Sequence, residues 1–355
     1  MLVINNNTEL DIEKMSQVLM KWYDVNARIL PWRNKSKNSP YHIWISEIML
    51  QQTTVKAVIP KFKSFIKRWP NIKKLSLASI DEILHEWQGL GYYTRAHNIF
   101  RSALIISKNY NGRLPKNIDS LKELPGIGDY TAGAVASIAF SIPVLPVDVN
   151  IERVLARING LFKNEKNFKS KVNNVAKLFY ESKRPGDLTQ AFMDFGAIIC
   201  KPNNPLCEIC PLSKFCLSFR KKIVGKVPGK KYLKSRKKRY GVVFFVINNK
   251  NQILFRKRKN SKILRGMMEL PMTPLSKHKW NLNSLDQYYP IKCEWEDNNI
   301  FVKAPISGFQ LEIKILFSRM GIQENGEWVA LDNIGSYAIP SIFKKIINKV
   351  LKELP

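Results

Sequence analysis

Four of the five cysteines in this 355-residue chain lie within seventeen residues, and this cluster constrains the local fold more than any other feature. Six, two and five residues separate the four, which are Cys200, Cys207, Cys210 and Cys216. Four thiolates so close in sequence can surround one centre, and proteins use such sets for zinc or for iron–sulfur clusters. The spacing fits neither the paired Cys-x2-Cys of a zinc ribbon nor the cysteine run of a ferredoxin. It therefore does not decide between zinc and an iron–sulfur cluster. Four unliganded buried thiols are the less favoured alternative.

The charge of the chain favours a polyanionic partner. Lys and Arg number 58 against 28 Asp and Glu, giving a formal net charge of +30, and eleven basic residues with no acidic one lie between 220 and 239. Nucleic acid is the first candidate and an acidic membrane surface the second. The alternative is that the positive charge reflects only the Lys-rich composition of proteins that an AT-rich genome encodes. Because no apolar run is long enough for a membrane span and no secretory signal pattern is present, we expect a cytoplasmic, nucleoid-associated protein.

The hydrophobic pattern changes along the chain and predicts two domains. Helical spacing runs from about 10 to 110 and again from 130 to 195, with prolines, Pro60 among them, expected at helix boundaries. From 241 the pattern is that of strands: a hairpin over 241–255, a strand at 311–315 and a final amphipathic helix at 341–351. We therefore predict an all-α domain over 1–219, an exposed basic linker over 220–239 and an α+β domain over 240–355.

A glycine-rich turn and a nearby carboxylate are the next candidates for function. The segment Leu-Pro-Gly-Ile-Gly-Asp-Tyr-Thr-Ala at 124–132 predicts a tight hairpin between helices, with backbone N–H groups exposed at a helix N-terminus. Such groups bind phosphate without a side-chain charge. The alternative is a turn with no ligand. Asp148 precedes the next helix and is either an N-cap or a functional carboxylate.

These motifs together resemble a known family. The glycine hairpin, Asp148 twenty residues beyond it and the cysteine spacing are similar to the endonuclease III superfamily of DNA glycosylases. Segments 30–33 (Leu-Pro-Trp-Arg), 44–53 and 89–93 resemble its adenine DNA glycosylase (MutY) branch, whose C-terminal domain is matched by 328–332 and 337–341. The resemblance implies a multi-domain protein. An all-α helix-hairpin-helix glycosylase domain with an iron–sulfur cluster loop would be followed by an α+β, Nudix-like domain that recognises 8-oxoguanine.

The resemblance also implies a cofactor and a substrate. It assigns a [4Fe-4S] cluster to the four cysteines, and it assigns contacts with the DNA backbone to Gly126, Gly128 and Thr131. The partner would be double-stranded DNA containing A:8-oxoguanine or A:G mispairs, bound by a monomer. The expected reaction is hydrolysis of the N-glycosidic bond of the mispaired adenine during base excision repair.

Cleaving a purine N-glycosidic bond requires an acid for the leaving base and negative charge beside the developing sugar cation. Glu47 has mostly apolar neighbours on a helix, so burial would raise its pKa and keep a proton available. The alternative is a surface helix Glu. The resemblance assigns the general acid to Glu47, the stabilising carboxylate to Asp148 and the positioning of this pair to Tyr130 and Asn150. Because bifunctional relatives carry a nucleophilic Lys where Tyr130 stands, we expect little or no β-lyase activity.

The remaining predicted contacts also come from the resemblance. An adenine pocket, residues that fill the gap left by the flipped base, and a contact with 8-oxoguanine are expected. The adenine pocket is assigned to Arg33, Trp32, Leu50 and Gln190. Gln51, Gln52 and Tyr92 match residues that fill the gap and contact the opposite 8-oxoguanine, with Thr53 as a further substrate-binding residue. Ser307 is assigned to recognition of the 8-oxoguanine strand. For Trp32 and Leu50 the alternative is ordinary core packing.

The chain departs from the family pattern at several positions. Val149 stands where well-known members have Gly, and Glu152 stands where the family often has a basic residue. The segment Ile-Ser-Gly at 306–308 replaces a Phe-Ser-His loop, so we expect weaker discrimination of 8-oxoguanine from guanine. The Nudix-like domain lacks the acidic metal-binding helix after 266–271, so we expect no pyrophosphatase activity.

Two rival functions stay open. One is a sibling glycosylase, which would remove thymine from T:G mismatches or an oxidised pyrimidine. The C-terminal domain, segment 51–53 and Tyr130 together argue against the pyrimidine enzyme. The other rival is a non-catalytic DNA-binding protein with the same fold, against which the presence of both Glu47 and Asp148 argues.

Overall fold

The computed structural model describes residues 8–33, 39–229, 237–258, 264–306, 308–321 and 326–353. The chain divides into two compact units. We call Met1–Ser76 with Arg101–Leu233 the helical unit, and Leu77–Phe100 with Lys234–Pro355 the sheet unit. The sequence predicted one break within 220–239, which left 77–100 in the helical domain. The structure instead groups this segment with the sheet.

Helices make up most of the first 220 residues, as the apolar spacing predicted. In the described part of the chain they are α1 (Thr8–Asn26), α2 (Pro40–Leu50), α3 (Val55–Arg68), α4 (Ile72–Ser76), α5 (Ile80–Glu86), α6 (Thr94–Asn109), α7 (Ile118–Lys122), α8 (Asp129–Phe140), α9 (Val149–Asn159), α10 (Phe168–Lys177), α11 (Pro185–Ile198), α12 (Leu217–Arg220) and α13 (Ser341–Glu353). Among these described helices, none has the length and apolar character needed to cross a bilayer.

Local capping explains where several helices begin. The Thr54 hydroxyl accepts a hydrogen bond from the Ala57 N–H at the start of α3, and Ser79 with Glu82 forms a capping box on α5. These bonds satisfy N–H groups that the first turn of a helix leaves without partners. The prediction that Pro60 marks a boundary was wrong, because Pro60 lies inside α3. The helix continues through it because its apolar face buries Val58 and Phe62.

The core of the helical unit surrounds α11, which is buried along almost its whole length. This helix packs against α1, α8 and α9. Leu19, Val154 and Phe192 lie in the same apolar cluster, and the ring of Trp22 meets Phe195 edge-on with centroids 5.3 Å apart. Because α8 and α9 both pack on α11 and α2 packs in turn on α8, one continuous packing arrangement supports α2, α8 and α9.

The predicted basic linker is partly packed rather than exposed. Val227 is buried in the helical core, and its carbonyl accepts a 3.0 Å hydrogen bond from Arg157 Nε. The Pro228 carbonyl accepts from the Lys163 N–H at 2.7 Å. Apolar side chains within the charged run thus hold residues up to about 229 on the helical unit. Residues 230–236 lie outside the described part of the chain, and 237–239 already belong to the first strand.

The sheet unit contains a mixed sheet. Its described strands are β1 (Lys237–Asn248), β2 (Gln252–Lys257), β3 (Met268–Glu269), β4 (Glu296–Ile306), β5 (Phe309–Met320) and β6 (Glu327–Ala330). The order is β3-β2-β1-β5-β4 with β6 paired to β2, and only β1 and β5 run parallel among these pairs. The predicted hairpin over 241–255, the strand at 311–315 and the final helix are confirmed.

Both faces of β1 are covered, which explains its continuous apolar run. Val243 and Phe245 lie in a cluster with α13, whereas Val242 and Phe244 lie in a second cluster. That second cluster is aromatic: Tyr289 and Trp295 stack at 5.3 Å beside Phe244. The helix that covers the first face, α13, is the amphipathic helix predicted for 341–351.

Candidate active site

Glu47 lies in α2 and is almost completely enclosed by the helical unit. The helix begins with a proline, which suits a first turn, and buries residues on both sides of Glu47, among them Trp44 and Ile48. The side chain keeps only 6% of its surface exposed. Burial raises the pKa of Glu47 to about 7, because the charged carboxylate loses the solvation of water. This carboxyl group can therefore hold a proton at neutral pH.

The helical hairpin formed by α7 and α8 carries the partner of Glu47. Gly126 has a φ of +80°, a backbone conformation that glycine adopts without strain, and Gly128 is the N-cap of α8. Tyr130 follows two residues later, and its hydroxyl donates a 3.0 Å hydrogen bond to Glu47 Oε2. Both glycines are exposed, so the turn presents its backbone to solvent. The hairpin predicted from 124–132 is confirmed.

Asp148 is the N-cap of α9, so the expected capping role is real. Its Oδ1 accepts hydrogen bonds from the Asn150 N–H at 2.9 Å and the Ile151 N–H at 2.7 Å, and its Oδ2 accepts from Asn150 Nδ2 at 2.9 Å. Burial raises the pKa of Asp148 even though these bonds and Arg153 favour the charged form. One carboxylate is thus held in a fixed orientation.

The two carboxyl groups influence each other electrostatically. The charge of Asp148 adds to the upward shift of the Glu47 pKa, whereas the Tyr130 hydrogen bond and the charge of Arg33 oppose it. The pKa of Tyr130 is itself well above its usual range, first because of burial and then because of the two carboxylates. Groups whose pKa values are shifted by burial and by specific partners are typical of catalytic sites.

Arg33 is anchored by a carboxylate that the sequence did not single out. Its Nη1 and Nη2 donate to Asp194 Oδ2 and Oδ1 at 2.6 and 2.9 Å. Asp194 lies in α11 and is fully buried, and Arg28 binds it as well. A lone acid among the apolar residues of 191–196 was the signal that sequence reasoning passed over.

A cavity of about 340 Å³ opens beside this arginine. Trp32, Arg33 and Gln190, three of the four residues predicted for the adenine pocket, line it. Trp32 is also a core residue, with 3% exposure and an edge-on contact to Phe62. Leu50, the fourth, is the half-buried last residue of α2.

The predicted DNA-contacting residues near the hairpin differ in how far their side chains are exposed. Gln51 is half-buried and its Nε2 donates to the Thr131 hydroxyl at 3.2 Å, while the Thr53 hydroxyl donates to the Gln51 carbonyl at 3.3 Å. Thr131 keeps 3% exposure, so its side chain faces protein and only its backbone N–H suits the predicted phosphate contact. Gln52 is exposed.

Two further predicted contacts lie in the sheet unit. Tyr92 is 45% exposed and has a φ of +44°. Ser307 lies outside the described residues, so its predicted contact stays a prediction.

The four clustered cysteines line a single cavity in the helical unit, together with Arg157 and Phe219. All four are free and partly exposed. Arg157 Nη1 donates to the Cys200 sulfur at 3.4 Å, and the Cys216 thiol donates to the Arg157 carbonyl at 3.4 Å. Within the described ranges, no three His, Cys, Asp or Glu side chains are grouped as a site for a single metal ion.

A chain of hydrogen bonds connects the cysteine loop to Asp148. Arg153 Nε donates to the Cys200 carbonyl at 2.8 Å, and its Nη2 donates to Asn150 Oδ1 at 3.0 Å. Asn150 in turn binds Asp148. Arg153 and Arg157 lie one helical turn apart on α9 and are both buried, a signal for partnered charges that sequence reasoning missed.

Two of the departures from the family pattern are visible here. The side chain of Val149 is 72% exposed at the start of α9. Glu152 pairs with Lys163 at 2.6 Å, so a nearby cation compensates its charge.

In the sheet unit, Glu269 is buried and forms ion pairs with Arg256 and Arg258.

Comparison with known proteins agrees with this geometry. Residues 45–179 match a family model described as "HhH-GPD superfamily base excision DNA repair protein", and 242–349 match the NUDIX domain. Among solved structures, a thermostable thymine-DNA glycosylase has a TM-score of 0.55 at 28% identity, covering 61% of this chain and 100% of its own. An endonuclease III–DNA covalent intermediate has a TM-score of 0.52 at 24% identity over 61% of this chain and 99% of its own, which supports the fold.

Relatives from bacteria and from an animal share the description adenine DNA glycosylase. The adenine DNA glycosylase of Buchnera aphidicola subsp. Schizaphis graminum is 34% identical over 95% of this chain and 99% of its own length. That of Buchnera aphidicola subsp. Acyrthosiphon pisum is 36% identical over 96% of this chain and 98% of its own. The human protein of this description is 37% identical over 56% of this chain and 38% of its own. The chain therefore belongs to the adenine DNA glycosylase family of base excision repair enzymes.

Proposed function

We propose that this enzyme is a monofunctional glycosylase that removes adenine paired with 8-oxoguanine or guanine. The observation that carries the proposal is the buried Glu47 carboxyl, bonded to Tyr130 and interacting with the charge of Asp148. One carboxyl that holds a proton near neutral pH and one that is fixed for negative charge are what hydrolysis of an N-glycosidic bond requires.

Each group then has a chemical task. Protonated Glu47 donates to N7 of the flipped adenine, which makes the base a better leaving group as the bond between its N9 and the sugar C1′ breaks. Asp148 stabilises the positive charge that develops on the sugar. Water then adds to C1′ and loses its proton, and Glu47, now ionised, is suited to accept it. Tyr130 and Asn150 hold the two carboxyl groups in place.

The residue at the hairpin supports a hydrolytic rather than a lyase reaction. A Schiff base with the sugar requires an amine, and the side chain bonded to Glu47 is the phenol of Tyr130. We therefore expect an abasic site as the product, without strand cleavage by the enzyme.

Recognition of the mispair is assigned to residues at three places. Trp32, Arg33 and Gln190 line the cavity that suits the flipped base, with Leu50 contributing from the end of α2. Exposed Gln52 and Tyr92 both hold a positive φ, a strained conformation for a non-glycine residue that is often found at functional sites.

Other contacts complete this assignment. Gln51, Thr53 and Ser307 would contact the strand that carries the 8-oxoguanine or guanine. The exposed backbone of Gly126 and Gly128 would bind a DNA phosphate. The monomeric state and the cytoplasmic location stay predictions.

The residues that line the cysteine cavity support the assignment of an iron–sulfur cluster. Four thiols line one space, and burial, with a smaller contribution from the neighbouring thiols, raises the pKa of Cys210 to about 12. A cubic cluster takes one thiolate at each iron, so its ligands lie farther apart than those around a single zinc ion. We propose a [4Fe-4S] cluster held by Cys200, Cys207, Cys210 and Cys216.

The cofactor is tested by iron analysis and visible absorption of anaerobically purified protein. We expect about four irons per chain and loss of the absorption in Cys210→Ser, whereas Cys293→Ser in the sheet unit keeps both. Stoichiometric zinc without iron would refute the cluster.

The reaction is tested with four duplexes containing A:8-oxoguanine, A:G, T:G and an oxidised pyrimidine. Each is incubated with the enzyme and then analysed with and without alkali. Adenine strands cut only after alkali are the expected result. Cleavage of the thymine or pyrimidine strand would support a sibling specificity, and binding without base release would indicate a non-catalytic protein.

A further inference from the structure

Among the acids in the described part of the chain that the proposed mechanism leaves unused, Asp194 is the most completely buried. Its side chain is 0% exposed, and it binds two arginines whose side chains are 10% and 29% exposed, Arg33 and Arg28. Four hydrogen bonds between 2.6 and 2.9 Å reach it, two from each arginine. The arginines come from the segment before α2, more than 160 residues away in sequence, so this carboxylate ties that segment to α11.

The pair restricts what Arg33 can do. Both of its terminal nitrogens are engaged with Asp194, and this two-bond geometry fixes the plane of the guanidinium at the wall of the 340 Å³ cavity. The charge of Arg33 also favours the ionised form of Glu47. Without a carboxylate beside it, that charge would act on Glu47 uncompensated.

We propose that Asp194 is a positioning residue that holds Arg33 in the adenine pocket and offsets its charge, so that Glu47 stays protonated for catalysis. The inference rests on the proposed function, because it takes Glu47 as the general acid. Asp194 itself touches neither the substrate nor Glu47 in this assignment.

The groups that act on Glu47 come from three other elements. They are Tyr130 of α8, Asp148 at the start of α9 and Arg33 from the segment before α2. Of these only Arg33 is bound to Asp194, so a change at position 194 reaches Glu47 through Arg33.

The test compares single-turnover rates from pH 5.5 to 9 for three variants with the wild type. The rate should fall at high pH as Glu47 loses its proton, and we call this fall the descending limb of the pH–rate profile. Asp194→Asn keeps a similar shape but removes the negative charge that offsets Arg33. The descending limb should therefore move to lower pH by about half to one unit. Arg28→Gln removes a partly exposed positive charge from the same cluster, and its limb should move to higher pH. Asp24→Asn is the control, because Asp24 is an exposed aspartate bonded twice to Arg184.

Opposite shifts in the first two variants, with the control unchanged, would support the proposal. A slower rate with an unmoved limb in both variants would overturn it, since a purely structural Asp194 predicts that result. If Asp194→Asn does not fold, Arg28→Gln decides between the two outcomes. A limb that moves to higher pH supports the proposal, and a limb that stays or moves to lower pH overturns it. A wild-type rate without a Glu47-dependent limb would instead refute the proposed function.

Discussion

At the scale of single residues, Glu47 is placed where its charged form is unfavourable. Its pKa rises from 4.5 to about 7 on folding, so between these values the folded state binds more protons than the unfolded state. The free energy of unfolding therefore falls as the pH rises through this window. Above pH 7 the cost of the charged form is roughly 3 kcal/mol.

The first prediction is that Glu47→Gln is more stable than the wild type at pH 8, by up to roughly 3 kcal/mol, and equally stable near pH 4.5. Urea unfolding at both pH values measures this. Glu165→Gln is the contrasting variant, because Lys171 and the Phe162 N–H lower the pKa of Glu165. That variant should be less stable than the wild type at pH 8, and the difference should shrink as the pH falls below 4.5, the ordinary pKa of a glutamate. A stability difference for Glu47→Gln that does not change with pH would contradict the account.

The second prediction concerns the two roles of Asp148. An asparagine caps a helix about as well as an aspartate, and the raised pKa of Asp148 means that its charged form is unfavourable, so Asp148→Asn should not lower the free energy of unfolding at pH 8. It should still lower the rate of base release about 10²- to 10³-fold, because the negative charge is lost. Asp148→Ala should lose both stability and activity. Full activity in Asp148→Asn would show that the charge is not needed.

A functional residue could be predicted from the sequence where its polarity differed from that of its immediate neighbours. Glu47 was readable as a single acid among apolar neighbours, and its burial is confirmed. Asp194 shows the same pattern but was missed, because its partners Arg28 and Arg33 come from a distant segment. Burial of the Thr131 side chain likewise depends on packing that local sequence does not encode.

At the scale of elements, the close packing of α11 against α9 supports the position of Asp148. Gly196 of α11 faces Asn150 and Arg153, and an added Cβ would lie 2.7 Å from Asn150 Cβ. A side chain at this position would push the start of α9 away. The hydrogen-bond chain through Arg153 would be stretched at the same time.

The third prediction is that Gly196→Ala costs about 1–3 kcal/mol of stability and slows base release. Thermal unfolding and single-turnover kinetics measure the two effects. Gly225→Ala is the matched control, because an added Cβ there meets nothing within 4 Å. Equal melting temperatures for the two variants would contradict close packing between α9 and α11.

Elements were predictable where a repeating pattern or a turn motif defined them. The hairpin of β1 and β2, the strand β5, the helix α13 and the turn before α8 are all confirmed. The continuation of α3 through Pro60 and the packing of Val227 were not predicted. Both depend on apolar contacts made elsewhere in the fold, which outweigh the local signals of a proline and a charged run.

At the scale of the whole molecule, the charge of +30 acts on DNA of any sequence. The groups proposed for the chemistry are two acids and a phenol, so the excess positive charge and the chemistry reside in different residues. The likeness across both units identifies the family, whereas composition alone indicated only the class of partner.

The fourth prediction is a steep and sequence-independent dependence of DNA affinity on salt. If six to ten phosphates are neutralised, the affinity should fall about 10³- to 10⁵-fold between 50 and 200 mM salt. Fluorescence anisotropy with an A:8-oxoguanine duplex and with an undamaged duplex should give parallel slopes. A slope near zero for the undamaged duplex would show that the net charge does not contribute to binding.

Base release in the proposed mechanism depends most directly on the proton that Glu47 holds. The decisive measurement is the single-turnover rate of adenine release from an A:8-oxoguanine duplex between pH 5.5 and 9, for the wild type and Glu47→Gln. The wild-type rate should fall as the pH rises through about 7, and the variant should be at least about 10²-fold slower at every pH below that value. A Glu47→Gln enzyme that releases adenine at the wild-type rate would contradict the mechanism.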